Sequence, residues 1–531
     1  MLRLLSFAVI FALASLAIPD GAARAAPTQG GTFIIGLEGE PAMATGHMAT
    51  DTVALMVASN VFNGLVTLDF DFNPKPDLAE SWEVSEDGRI YTFNIARNAK
   101  WHDGEPVTAA DVEYTFNDII AKVHPRAASW WPNVESAVAT DAHTFVITLK
   151  SAYAPFMTII GNTLGSGTLI MPKHIYEGTD PKTNEANFAP IGSGPFKFVK
   201  WERGSHIELE RNADYFKAGL PYLDRIILQF LPDAASRLLA FEQGEVDFLH
   251  MYIVPFDQVD RFRQDDKFQV IERGGEGAAT NGFLLMNLRD GPLANKDVRH
   301  AIAHAIDRQQ VVEKSLFGEG RVAHSFVNSG IGWVFDDSND VYRAVDLDKS
   351  NALLDQAGYP RDANGKRFDL RIAVATGRDY EARANEIIKD NLAQVGIGIT
   401  IESSDRTSFI EKVMRQWNFD MANQLFTTGP DPAISVPPRY HTKQIKPIPF
   451  VNSMGFSNLE LDAIFDTESG ITDREKRASA WRDAQKILFE EMPALPMFEV
   501  PLVNLVSSRF KDVITTPFGY IQSREGAYMV E

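Results

Sequence analysis

Between residues 368 and 425 the chain changes its apolar period several times, and few folds satisfy such a pattern. Phe368, Leu370, Ile372 and Val374 repeat every second residue, as a strand with one buried face requires. Ala384, Ile387, Ile388, Leu392 and Val395 then fall at helical spacing, and Gly396 closes that helix. Ile397, Ile399 and Ile401 return to the strand period, residues 409–417 read as a second helix, and 419–425 as a third strand. Strand-helix-strand-helix-strand implies a parallel sheet with right-handed crossovers, hence an α/β fold. In open sheets of this kind ligands bind beyond the carboxyl ends of the strands. Two loops leave that edge, Thr376-Gly377-Arg378-Asp379-Tyr380 and Phe426-Thr427-Thr428-Gly429-Pro430-Asp431-Pro432. Their convergence marks the candidate site.

Similar patterns recur upstream. Tyr91, Phe93 and Ile95 share one strand face, Thr108 and Asp111 form a variant capping box, and Val112, Phe116, Ile119 and Ile120 make an apolar helix stripe. Residues 143–149 return as a strand. Residues 283–288 read as a buried strand, and Asn295 caps a helix predicted over 296–317 and stopped by Gly318.

The amino terminus restricts where the chain works. Arg3 precedes a run of about 15 apolar residues, too short for the roughly 20 of a membrane span. Pro19 and Gly21 follow, then Ala23-Arg24-Ala25, so residues 1–25 read as a cleavable secretory signal. The chain has no cysteine, which removes disulfides and the attachment point of a lipoprotein. Export without a tether predicts a soluble protein of a Gram-negative periplasm. Its 531 residues call for two or three domains. The formal charge of -20 excludes nucleic acid and anionic lipid as natural partners.

Several runs carry a family likeness. Residues 77–88 (Asp-Leu-Ala-Glu-Ser-Trp-Glu-Val-Ser-Glu-Asp-Gly) and 100–112 (Lys-Trp-His-Asp-Gly-Glu-Pro-Val-Thr-Ala-Ala-Asp-Val) lead. Then come Gly192-Ser193-Gly194-Pro195-Phe196, Glu210-Arg211-Asn212, Gly244-Glu245-Val246-Asp247, Asp297-Val298-Arg299-His300-Ala301-Ile302 and residues 353–359. In this order they resemble the family 5 extracellular solute-binding proteins of ABC importers, the dipeptide, oligopeptide and nickel group. The resemblance implies a two-lobed periplasmic binding protein of type II, cluster C-like, with an extra domain, three domains in all. It assigns residues 26–71, 191–278 and 491–531 to lobe 1, 72–190 to the extra domain and 279–490 to lobe 2. It also implies a monomer without cofactor that closes on a small peptide-like ligand and delivers it to an inner-membrane permease.

Peptide termini set the chemistry of such a cleft. A ligand carboxylate is best held by a planar Arg fork, and Arg378 in the first loop, beside Tyr380, is similar in position to such a clamp. Peptide-binding relatives often carry an acid in the second loop for the ligand amine. Here Thr427 and Thr428 stand there, Asp431 follows in its Pro-Asp-Pro turn, and the acidic anchor is missing. That opens the cargo to modified peptides, opines, sugar conjugates or metal chelates. Phe426, Trp417 and Trp333 are candidate apolar walls, and Glu40 and Met43 lie in a loop after the strand at residues 32–37. Catalysis and metal binding find no support. His300 and His304 are four apart, but Ala301 stands where a metalloprotease needs its glutamate, so both read as surface histidines. His441 has no evident second ligand, and Gly192-Ser193-Gly194 precedes a strand, so it is a turn and not a phosphate cradle.

Overall fold

The computed structural model describes residues 27–47, 51–124, 127, 130–162 and 168–530. The signal segment at 1–25 lies outside them. Phe368–Ala375 and Ile397–Ser404 pair in parallel from Phe368↔Ile397 to Ala375↔Ser404. Met421–Thr427 joins the first of them in parallel at Ile372↔Met421, and helix Asp379–Gln394 is the crossover between the first two strands. The predicted strand-helix-strand unit is therefore present. The sheet that holds it is mixed, however. Met421–Thr427 pairs antiparallel with Thr280–Met286, which pairs antiparallel with Ala494–Glu499, and Arg321–Val322 forms the edge. Thr280–Met286, paired on both of its edges, is buried along its whole length.

Two helix predictions need correction. The helix expected over 296–317 is two helices, Lys296–Ala305 and Arg308–Ser315. Asp307 breaks it by accepting a hydrogen bond from Gln310 N at 2.8 Å, a cap stronger than the apolar spacing that runs through the break. The second helix stops at Ser315, and the chain leaves it through two left-handed residues, Phe317 at a φ of +56° and then Gly318 at +80°. The helix expected at 409–417 starts earlier, at Arg406. Asp405 caps Ser408 N at 3.0 Å, and Ile410–Arg415 forms a wide turn of π type.

A second, seven-stranded sheet has the order Phe268–Glu272, Val503–Ser507, Phe248–Leu249, Thr32–Leu37, Arg225–Phe230, His206–Arg211, Phe196–Glu202. Thr32–Leu37 runs parallel to both of its neighbours. A four-stranded antiparallel sheet is built from Ala79–Val84, Ile90–Ile95, Thr144–Leu149 and Val134–Asp141. Beside it, Asp111 reaches back to Thr108 N at 2.8 Å, as the capping pattern requires. No helix among the described residues is long and apolar enough to cross a membrane.

The two large sheets are joined by two short crossings, residues 273–279 and 500–502. The return crossing lies beyond residue 490, where the sequence reading placed it, because Ala494–Glu499 completes the six-stranded sheet before the chain leaves. Gly277 is obligatory in the first crossing, since a Cβ there would lie 2.0 Å from the Phe518 ring. Beside the crossings, Arg263 on the seven-stranded side grips Glu319 on the other with both terminal nitrogens, at 2.7 and 2.6 Å. The four-stranded unit touches the six-stranded one through Ala154 N and Ser469 O at 2.7 Å.

Candidate functional site

The carboxyl ends of the parallel strands in both large sheets converge on one cleft. On the six-stranded side, Phe368–Ala375 ends in Gly377, whose φ of +105° turns the chain so that Arg378 can start helix Asp379–Gln394. The Arg378 side chain is 48% exposed and donates through Nη1 to Glu381 Oε1 at 3.0 Å. Glu381 is buried, and burial raises its carboxyl pKa against the opposing charge of Arg378. Ile397–Ser404 ends just before Arg406, whose Nη1 donates to Gln424 Oε1 at 3.1 Å. Burial lowers the Arg406 pKa, and the positive charge of Arg378 lowers it further.

On the seven-stranded side, Thr32–Leu37 ends at Glu38 and Phe248–Leu249 ends at His250. His250 is fully buried, with Nε2 3.1 Å from Glu38 Oε2. Burial opposes ionisation of Glu38, but the bond and charge of His250 outweigh it and hold the carboxyl below its ordinary value. Next comes Tyr252, 47% exposed, with its ring 5.3 Å from that of Tyr520 in an edge-on arrangement. Burial around its hydroxyl, which is bonded to Tyr520 and Thr280, raises its pKa, and Arg378 is close enough to act on it. The two sides meet where Tyr380 packs 5.9 Å from Phe256 and 6.2 Å from Phe498.

Of the residues singled out from sequence, Arg378 and Tyr380 stand in this cleft. Thr427 is exposed at its margin, opposite Thr280 in register. The others are placed elsewhere. Thr428 is 0% exposed; its hydroxyl donates to Ala279 O at 2.8 Å and accepts from Asn328 N at 3.0 Å. It ties the loop to the crossing and has no face left for a ligand. Asp431 is buried, bound to both terminal nitrogens of Arg477 at 2.6 Å, and caps Ala433 N at 3.0 Å. Phe426 is a core residue, 6.1 Å from Phe283 and 4.0 Å beneath the Arg439 guanidinium. Trp417 precedes the amino end of its strand, so a seven-residue strand of about 20 Å separates it from the ligand edge. Arg289 covers its ring at 3.9 Å. Trp333 packs against Arg477 at 5.0 Å and Arg474 at 5.5 Å. Glu40 accepts from Trp201 Nε1 at 3.0 Å and Gly204 N at 3.3 Å, bracing a hairpin of its own sheet. Met43 is partly buried next to Ala44, whose N–H donates to Asn187 O at 2.7 Å.

Glu38, His250, Tyr252 and Arg406 escaped the sequence reading, although a signal for two of them existed. Glu38 and Arg406 are among the first residues beyond strands that run toward the ligand edge. The strand predicted to end near Ile401 continues to Ser404, and that extension carries Arg406 to the edge. The histidines picked out from spacing are engaged elsewhere. His300 bonds the Tyr342 hydroxyl and Glu490 O, and His304 is buried and not on the surface, its pKa pushed down by burial to about 4. His441 lies between Asp462 at 3.1 Å and Asp466 at 3.2 Å. Among the described residues no group of three or more His, Asp or Glu side chains could hold a metal ion.

Thr428→Val is expected to cost about 1–3 kcal/mol, since it strands the buried Asn328 N–H. Urea denaturation checks this, and a midpoint equal to wild type would show that the hydroxyl bridge does not hold the loop.

Two sheets joined by a double crossing, with charged side chains on their facing edges, have the architecture of a protein that binds a small solute between two lobes. Residues 73–446 match the model of the bacterial extracellular solute-binding proteins, family 5, and the chain belongs to that family. It is similar to the oligopeptide-binding protein AppA of Bacillus subtilis, 27% identical over 483 residues, covering 88% of this chain and 86% of that protein. The glutathione-binding protein GsiB of Pectobacterium atrosepticum is 26% identical over 480 residues, 88% of each chain. Among solved structures, the substrate-binding protein CtaP of Listeria monocytogenes superposes with a TM-score of 0.82 at 23% identity, over 95% of this chain and all of that one. Family membership makes this chain a non-catalytic, substrate-binding component of an ABC importer for small solutes.

Proposed function

We propose that the cargo is a peptide-like solute bound as a zwitterion across the cleft, in the periplasm, and passed by a monomeric carrier to an inner-membrane permease. The observation that carries this reading is the charge arrangement of the facing edges. Glu38 is ionised on one side, where a ligand ammonium finds a partner. Arg378 and Arg406 stand on the other, where a carboxylate fits a guanidinium fork. Glu38 thus supplies the acid missing from the loop at Thr427 and Thr428. The names of AppA and GsiB, an oligopeptide-binding and a glutathione-binding protein, support cargo of this class. Periplasmic placement rests on residues 1–25.

Native mass spectrometry of protein recovered from periplasm is expected to show a co-purifying solute of peptide size. An empty cleft that no peptide pool stabilises against heat would overturn the reading. Arg378→Ala should weaken binding of that solute by about 2 kcal/mol, roughly 30-fold, because a charge-assisted pair with the ligand carboxylate loses one partner. An unchanged dissociation constant in titration calorimetry would remove Arg378 from the site.

A further inference from the structure

Arg406 poses a problem that a single ligand carboxylate does not solve. It stands one strand away from Arg378, at the end of the neighbouring parallel strand in a ladder whose last pair is Ala375↔Ser404. Both guanidiniums are held in place by one bond each, Arg378 to Glu381 and Arg406 to Gln424. Phe409 and Phe450 lie 5.6 and 5.8 Å from the Arg406 guanidinium carbon, so apolar rings flank it. The nearby acid Asp405 is turned away, its oxygens taken by Ser408 N at 3.0 Å and Ser408 Oγ at 2.6 Å. Gln424 is neutral. Glu381 is therefore left to offset two positive charges, and it already spends one oxygen on Arg378.

A guanidinium uses a planar pair of N–H groups to hold one carboxylate. One terminal carboxylate on Arg378 leaves the Arg406 fork unanswered on a partly desolvated edge. We infer that Arg378 and Arg406 form a two-fork subsite for two neighbouring carboxylates, so that the cargo is a peptide-like solute with an acidic group beside its terminal carboxylate. This rests on the proposed peptide-like reading and names the class within it. Arg406 is the specificity-determining residue, and Gln424 positions it.

The test uses ligand-free full-length mature protein and the tripeptides Ala-Ala-Asp and Ala-Ala-Asn, which differ in one charge at the carboxyl end. Titration calorimetry is expected to show wild type preferring Ala-Ala-Asp by roughly tenfold or more. Arg406→Gln should bring the ratio close to one, and Arg406→Lys should restore part of it. A wild-type ratio near one, or a ratio that Arg406→Gln leaves intact, overturns the subsite while the peptide reading stands. A parallel arm titrates succinate at constant ionic strength and follows the melting temperature. Stabilisation of wild type that is lost in both Arg378→Ala and Arg406→Gln upholds the subsite even if neither tripeptide binds, in which case the peptide reading fails. If neither the tripeptides nor succinate acts on wild type, both fail.

Discussion

Arg477→Ala is expected to destabilise the protein by about 3–5 kcal/mol, the range for breaking a buried ion pair by removing one partner. Arg477 is buried and binds two carboxylates at once. It holds Asp431 through both terminal nitrogens at 2.6 Å and Glu468 through Nε at 2.8 Å. Trp481 Nε1 adds a bond to the same Glu468 oxygen at 3.0 Å. Without the guanidinium, two acids remain with no other cation among the described residues bonded to them, and the turn that Asp431 caps loses its brace. Guanidinium denaturation of wild type and variant measures the cost. A loss under about 1 kcal/mol would mean that water enters and solvates the acids, and that the network does not hold the Asp431 turn in place.

The second expectation concerns pH. Burial raises the Glu468 pKa from 4.5 to about 7, against the lowering effect of Arg477, and the nearby charge of Asp431 raises it further. The side chain is 1% exposed, and its Oε1 is buried with no hydrogen-bond partner. Between pH 4.5 and 7 the folded protein keeps a proton on Glu468 that the unfolded chain has released. Stability from this group is thus fully present below the unfolded pKa and declines as pH rises toward 7. The shift corresponds to about 3 kcal/mol over that window. Glu468→Gln, which keeps an acceptor for Trp481 and Arg477, should remove this decline and leave the variant relatively more stable at pH 7 and above. Thermal melts at intervals from pH 4.5 to 8 give the comparison. Parallel profiles for the two proteins would show that Glu468 titrates at its ordinary value.

Both effects arise in the network that holds Asp431, a residue that reads in sequence as a ligand contact. Its loop does leave the ligand edge, as the strand pattern indicates, but its partner Arg477 is 46 positions away on another helix, and no local pattern connects them. The same limit explains Glu38, whose partner His250 lies 212 residues on. Alternating and helical periods record which face of an element is buried, so the 368–427 unit and the edge where its loops gather were legible. They do not record which acids are consumed by distant cations. Arg378 was legible because it follows its strand directly. Trp417 was misplaced because an aromatic beside a strand looks alike at either end of it, and only chain direction separates the two. The break at Asp307 stayed hidden because the apolar stripe continues in phase across it.

The position of Ala494–Glu499 and Val503–Ser507 has a consequence for how the chain reaches its structure. Each of these late strands is interior to its sheet, the first between Arg321–Val322 and Thr280–Met286, the second between Phe268–Glu272 and Phe248–Leu249. Neither sheet can zip shut until the last forty or so residues of the chain are available. These non-local pairings carry a large loop-closure entropy, so folding is slow and concludes only after synthesis is nearly finished. During that delay the polypeptide stays threadable, with its hydrogen-bonding edges open to chaperones or to each other. Truncation before residue 494 should accordingly leave two unfinished sheets and an aggregation-prone chain, not a smaller folded protein.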